Sequence, residues 1–346
     1  MSGMIPPTRS PTTTGVEHNA SATTSLGNLD KLPLELVHWI LSMLDVQTLS
    51  RITRTCMRGI AVVESLLEYR DLVRYAPQAI AALGSTKLLH RYSAHALYTA
   101  LRSASCWSCG DFGPFLFLPT CDRCCYECLS RNQSLWAIPC SEAQEAFDLC
   151  AASIKNLPLL HSLPGRYHVK HSVTSKRRLQ LVSVRAAKEL AIKQGKSVEY
   201  LKHYIQNRRI AGLPLDKYYK LRWLLEAPLQ APGNSILFQP TQANVPNDKF
   251  CGMASVPFPS LSTGSRIENG LWCLGCEKAC REWSPNRPHA ALSHLVASGV
   301  DVKRTLYTMQ HVARSEKEFV EHITKCAGAK EMLPGVEAKL QDVILA

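Results

Sequence analysis

The chain is expected to be mainly α with small β elements, an α+β arrangement in which N-terminal helices precede an irregular region stabilised by zinc. Three observations lead there. Leu32, Leu36, Ile40, Leu41 and Leu44 recur at helical spacing near the N-terminus. Apolar runs such as residues 112–118 are too short for anything but a strand or hairpin. Fourteen cysteines, several in C-x-x-C pairs, supply ligands rather than core. The composition supports a core, with 46% apolar and 20% charged residues, and 7% aromatics makes that core mostly aliphatic. No apolar run approaches the ~20 residues that a membrane-spanning helix needs, which excludes that class.

Residues 1–28 hold ten Ser or Thr and three Pro with almost no large apolar side chain. Such a stretch cannot offset its chain entropy by burial and reads as a disordered tail. Arg9 is the only basic residue before Lys31 and no apolar core follows it, so neither a secretory signal nor a transit peptide is expected. The expected location is cytoplasm or nucleus, where thiols stay reduced and clustered cysteines mean metal more often than disulfide.

Order is expected from Leu29 onward, with Asp30 as a cap and Pro33 in the first helical turn. A second helix follows Asp45, with Leu49, Ile52 and Cys56 on one side. A third starts near Ile60 and Val63 and runs to Val73. Further helices are expected over residues 77–83 and, capped by Ser85, over 86–102. Three short one-sided helices make little core alone, and domains that small need a metal, a disulfide or a partner.

The segment LDKLPLELVHWILSMLDVQTLSRITRTCMRGI resembles an F-box. The family's opening Leu-Pro-x-Glu is present as Leu32, Pro33 and Glu35. Its Ile-Leu and Leu-Asp pairs match Ile40-Leu41 and Leu44-Asp45, and its later Leu, Arg and small-or-Cys positions match Leu49, Arg51 and Cys56. The Trp often found near the motif's end is absent, with Gly59 and Ile60 there instead. The resemblance covers roughly residues 29–70. It implies helices that dock on a Skp-type adaptor and through it join a cullin ligase, with Leu32, Pro33, Leu36, Ile40, Leu41, Leu44, Leu49 and Ile52 as the adaptor-binding residues.

Cys106 and Cys109 form a knuckle in which Gly110 permits the tight turn. Cys121, Cys124, Cys125 and Cys128 follow, so six thiols are available for a four-ligand tetrahedral ion. Pairing the knuckle with Cys125 and Cys128 gives C-x2-C-x15-C-x2-C, a structural-zinc spacing. Cys121 and Cys124 are the alternates, at x11. The later pair is preferred because a helix starting at Cys128-Leu-Ser-Arg presents it and favours thiolate charge. The surrounding CWSCGDFGPFLFLPTCDRCCYECLSRN looks like the cysteine-rich block after the F-box in many fungal F-box proteins.

The net charge of +12 is local: residues 166–222 carry fifteen Lys or Arg and three acids, while the other residues balance at 25 of each sign. Such a segment faces nucleic acid, an acidic protein or a membrane surface, or is simply a solvated helical face. Within it, residues 185–193 and 198–206 read as basic helices. Residues 157–169 read as a loop entering a strand around the Pro164-Gly165 turn, with 179–184 as partner strand. Residues 228–248, rich in Pro, Asn and Gln, read as a long loop.

Near the C-terminus Cys273 and Cys276 repeat the knuckle, and His322 and Cys326, four apart, share a helix face. Together they make a three-thiolate, one-imidazole set, with Cys280, His289, His294 and the remote Cys251 as alternatives. The domain plan is therefore a tail (1–28), the F-box and following helices (29–103), a first zinc cluster (104–130), a basic middle region (131–250) and a zinc-binding C-terminal region (251–346).

The function expected is an F-box substrate receptor of an SCF-type ubiquitin ligase, binding a protein substrate through the zinc-stabilised remainder. The alternative is a zinc-stabilised nucleic-acid-binding protein using residues 166–222. No enzyme is expected. There is no G-x-S-x-G, no phosphate-cradling glycine loop and no H-E-x-x-H, and fully thiolate-ligated zinc leaves no open position for water.

Overall fold

The computed structural model describes residues 25–168, 172–232, 249–262, 266–284 and 302–332. It is mainly helical with small antiparallel sheets. No helix among these residues is long and apolar enough to cross a membrane. Most of the tail expected over 1–28, most of the loop expected over 228–248, and His289 and His294 lie outside the described residues.

A 3-10 turn, Gly27–Lys31, leads to α1 (Leu34–Ser42), whose N-cap is Pro33. Asp45 caps α2 (Val46–Ile52), accepting from the Thr48 N–H at 2.9 Å. The third helix expected from sequence is two, α3 (Met57–Ser65) and α4 (Leu67–Tyr75), because Leu66 is extended between them. After α5 (Pro77–Ser85) the chain turns at Lys87, which has φ 61°, so no helix starts at Thr86. The next, α6 (Ala94–Arg102), is capped by Ser93 rather than Ser85.

The run after the first knuckle forms β1 (Phe115–Phe117), paired antiparallel with β2 (Asp122–Cys124). A distant segment, α13 (Cys251–Ala254) and β8 (Ser255–Pro257), completes this sheet on the other edge of β1, with Leu116 opposite Val256. One apolar cluster therefore runs from Val37 and Leu41 of α1 through Leu83, Leu97 and Leu101 to Leu116, Phe117 and Phe258.

Arg123 fastens these parts. Its guanidinium is buried and donates to Gly113 O at 2.6 Å, Phe258 O at 3.0 Å, Ala100 O at 3.1 Å and Pro259 O. It also lies over the Phe258 ring, 4.9 Å from the centroid. Burial lowers its pKa to about 10, still fully charged at neutral pH. Arg123→Met keeps the stem but strands four carbonyls, and is expected to cost about 3–5 kcal/mol, read as a fall in midpoint on chemical denaturation.

A second cluster lies between residues 136 and 227. β3 (Ala137–Pro139), β7 (Gln180–Ser183) and β4 (Leu160–His161) form its sheet, with β7 in the middle. Against it pack α8 (Cys140–Phe147), α9 (Ala151–Ile154), α10 (Val184–Lys193), α11 (Val198–Ile210) and α12 (Leu215–Leu225). The hairpin β5 (Gly165–His168) and β6 (Ser172–Ser175) is a separate two-stranded unit. Buried Lys188 donates to Leu225 O and Ala227 O, both at 2.7 Å, and so satisfies carbonyls at the end of α12.

The C-terminal part comprises β9 (Ser260–Leu261) paired with β10 (Ile267–Glu268), then α14 (Leu274–Glu282), α15 (Val302–His311), α16 (Glu316–Lys325) and α17 (Ala327–Met332). Tyr126, which opens α7 (Tyr126–Arg131), stacks on His311 with centroids 4.2 Å apart. The Tyr126 and Tyr307 hydroxyls lie 3.2 Å apart, so α15 touches the helix beside the first cysteine cluster.

Candidate functional site

In the first cysteine group, Gly110 at φ 84° turns the chain so that its N–H reaches Cys106 O at 3.0 Å. Trp107 N–H donates to Arg123 O at 2.8 Å, fixing the knuckle against β2. On the other side Cys125 caps α7, its sulfur accepting from Cys128 N–H at 3.4 Å. The sulfurs of Cys106, Cys109, Cys125 and Cys128 all fall within 4.8 Å of one another, with Cys109 and Cys125 at 3.7 Å. A tetrahedral ion ~2.3 Å from each sulfur requires sulfur–sulfur edges of ~3.8 Å. The four thiols can therefore hold one metal ion.

The group's charge points the same way. Hydrogen bonds from Cys109, Cys125 and Cys128 hold the Cys106 thiol far below its ordinary range, while the same sharing pushes Cys125 and Cys128 up. Four buried sulfurs left to themselves share protons around one anion, and a divalent cation supplies the charge that lets all four ionise. Cys121 and Cys124 lie outside this set. Both are fully buried, and burial pushes both thiols well above the usual range, as neutral apolar groups. Cys251 is buried in the same core and also lies outside the set.

The second group is built by a bridge and two helices. Leu271 and Arg314 exchange N–H to carbonyl bonds at 2.8 and 3.0 Å, holding the knuckle beside the start of α16. Cys273 is the N-cap of α14, His322 lies in the last turn of α16, and Cys326 is that helix's C-cap. A capping box at Ser315 and Glu318 sets where α16 begins. Cys276 Sγ is 3.2 Å from His322 Nε2 and 3.8 Å from Cys326 Sγ, and Cys273 Sγ is 3.7 Å from Cys326 Sγ. All four donor atoms lie within 4.8 Å and can hold a second ion. Bonding to Cys273 and Cys326 raises the His322 pKa to about 9, so an incoming ion displaces a ring proton there. Cys280 is excluded: it packs with Val302, Leu306 and Trp283 instead.

This second group depends on two glycines. A Cβ on Gly275 would stand 2.2 Å from Ala329 N, and one on Gly328 would stand 2.1 Å from Gly275 O. The knuckle helix and α17 thus meet backbone to backbone, which puts Cys276 within reach of Cys326. Because backbone cannot yield as a side-chain tip does, Gly275→Ala is expected to empty the second group while sparing the first. Elemental analysis should then read half the metal per chain of the parent protein.

The eight residues assigned to adaptor contact divide between surface and core. Leu32, Pro33, Leu36 and Ile40 are exposed, Leu44 and Ile52 are half-buried, and Leu41 and Leu49 are fully buried. Leu41 and Leu49 thus pack into the main core, so their side chains are unavailable to a partner. Trp39 of α1 and Met43 at its C-cap are also exposed and extend the apolar face, and Leu34 is exposed at the helix start; Trp39 is 65% exposed and Leu36 47%. Their signal in the sequence was the density of apolar residues on α1, which exceeds what one buried stripe uses.

No family model, no curated protein and no solved structure matches the chain.

Proposed function

We propose that the chain is an F-box substrate receptor of an SCF-type ubiquitin ligase. The exposed apolar face of residues 32–43 docks on a Skp-type adaptor, and the adaptor joins it to a cullin scaffold. The observation that carries this reading is that face itself. α1 already buries Val37 and Leu41 on its core side, yet Leu36, Trp39 and Ile40 on its other side, together with Met43 at its C-cap, stand in solvent, and Leu32 and Leu34 are exposed at its start. An exposed apolar helix face of that kind marks a protein interface, and an amphipathic helix laid into an apolar groove is a common way to cover one. The F-box resemblance spans the same residues.

In this reading both four-ligand groups hold structural zinc, the thiolate and imidazole sets suiting that ion. The zinc-pinned remainder presents the substrate surface, and the chain does no covalent chemistry of its own. It works in cytoplasm or nucleus, where the thiols remain reduced. Co-expression with a Skp-type adaptor followed by size exclusion tests the reading. Co-elution as one stoichiometric species is expected; separate elution of folded chain and adaptor overturns it.

A further inference from the structure

Two acid-free stretches of the chain meet in the fold. Residues 72–110 contain Arg74, Lys87, Arg91 and Arg102 and no Asp or Glu; residues 149–188 contain eight Lys or Arg and no Asp or Glu. His161 N–H donates to Thr86 O at 3.0 Å, and Arg91 Nη2 to Leu157 O at 3.3 Å, which joins them. Ser162 N–H donates to Leu179 O and Ser162 Oγ accepts from Leu179 N–H, both at 2.9 Å, bringing the 176–178 turn to the same place. α13 packs on the neighbouring β5, and residues 249–267 are also free of acids. The field is felt locally: beyond burial, Lys87 and Arg178 both push the His161 pKa down.

These cations differ from those on and between the adjoining helices. Arg185 pairs with Asp122, Lys196 with Asp148, Arg208 and Lys217 with Glu145, and Lys220 with Glu142. Lys87, Lys176, Arg177 and Arg178 are exposed and have no carboxylate within ion-pair distance among the described residues. The stretches outside the described residues supply no counter-charge run, since their acids are only Glu17, Asp248, Asp301, Glu337 and Asp342.

We propose that the surface formed by Lys87, His161 and the 176–178 turn docks an acidic segment of a protein partner. Unpaired Arg and Lys in an acid-free surrounding attract carboxylates at long range and form forked contacts at short range. Nucleic acid fits less well. Among the described residues no Phe, Tyr or Trp between residues 74 and 190 is fully exposed, so the charge lacks the open rings on which bases stack best. The patch is also made of turns and a strand end, with no helix offered to a major groove.

The test titrates the full chain, at low salt, with a fluorescent Asp/Glu-rich peptide and with single-stranded and duplex oligonucleotides. Lys87→Glu, Arg177→Glu and Arg178→Glu together form the patch variant. Lys193→Glu, Lys202→Glu and Lys317→Glu, all exposed elsewhere, change net charge equally. The patch variant is expected to lose peptide affinity about tenfold or more, the control about twofold or less. Arg177→Ala with Arg178→Ala, a milder change, is expected to fall between and guards against misfolding of the triple variant. Equal weakening by both triple variants, no peptide binding by the parent, or preferred binding of an oligonucleotide overturns the proposal. Adaptor capture is expected to be unchanged in the patch variant, so this inference and the adaptor reading fail separately.

Discussion

Replacing Cys125 by Ser is expected to unfold the main body of the protein rather than merely empty a site. Cys125 supplies one sulfur of the first group and also the N-cap of α7, and the group sits inside the apolar cluster that α1, α6 and β1 share. Binding to a structural four-ligand site is worth about 10–16 kcal/mol in small metal-folded units. A whole domain is stable by only about 5–15 kcal/mol, so the lost ion outweighs the available reserve. The expected result is insoluble chain, or soluble chain with unfolded far-ultraviolet dichroism and no metal at the first group. Cys124→Ala is the matched comparison. It removes a fully buried thiol outside the group, should retain all metal, and is expected to cost about 1–2 kcal/mol for the small void. Equal behaviour of the two variants would remove the first group from the account.

Leu36→Asp combined with Trp39→Asp is expected to abolish adaptor binding without harming the fold. Both side chains are exposed, so neither carboxylate is forced into the core. In a complex each would be desolvated without a partner in place of an apolar anchor. Burying a polar or charged group unpaired costs several kcal/mol, and central aromatic anchors alone are often worth 2 kcal/mol or more, about thirtyfold or more in affinity. Titration calorimetry on the double variant should show no measurable binding, with the thermal midpoint within a few degrees of the parent. Leu41→Asp is the wrong probe, because Leu41 is buried and its loss would report unfolding.

Much of the local structure could be read from residue spacing. Asp45 before an apolar turn marked a helix start, and the apolar run at 112–118 marked a strand or hairpin, of which 115–117 is the strand. His322 and Cys326, four apart, do reach one point together with Cys273 and Cys276, although Cys326 is a cap rather than a helical residue. The choice among six cysteines rested on a helix expected to start at Cys128; α7 starts earlier, at Tyr126, with the Cys125 sulfur at its N-cap in the group, whereas Cys121, at φ 54°, is buried outside it.

Long-range pairings left no comparable trace. Nothing near residues 255–257 announces that they join β1, because a strand of three residues has too little pattern to specify a partner that far away. Arg123 reads as an ordinary basic residue between two cysteines, and only the converging carbonyls of Gly113, Ala100 and Phe258 explain its burial. On α1 the spacing gave the helix but not which side is wet. Leu36 and Leu41 sit in one apolar sequence pattern, yet one faces solvent and the other the core, since a broad apolar helix has two candidate inner faces.

The most direct measurement is native mass spectrometry of the full chain co-expressed with a Skp-type adaptor, alongside the Leu36→Asp, Trp39→Asp variant. The parent is expected to carry one adaptor and two zinc ions per chain, and the variant two zinc ions with no adaptor. A folded parent chain that carries its metal but no adaptor, or an adaptor complex that the variant retains, would contradict this expectation.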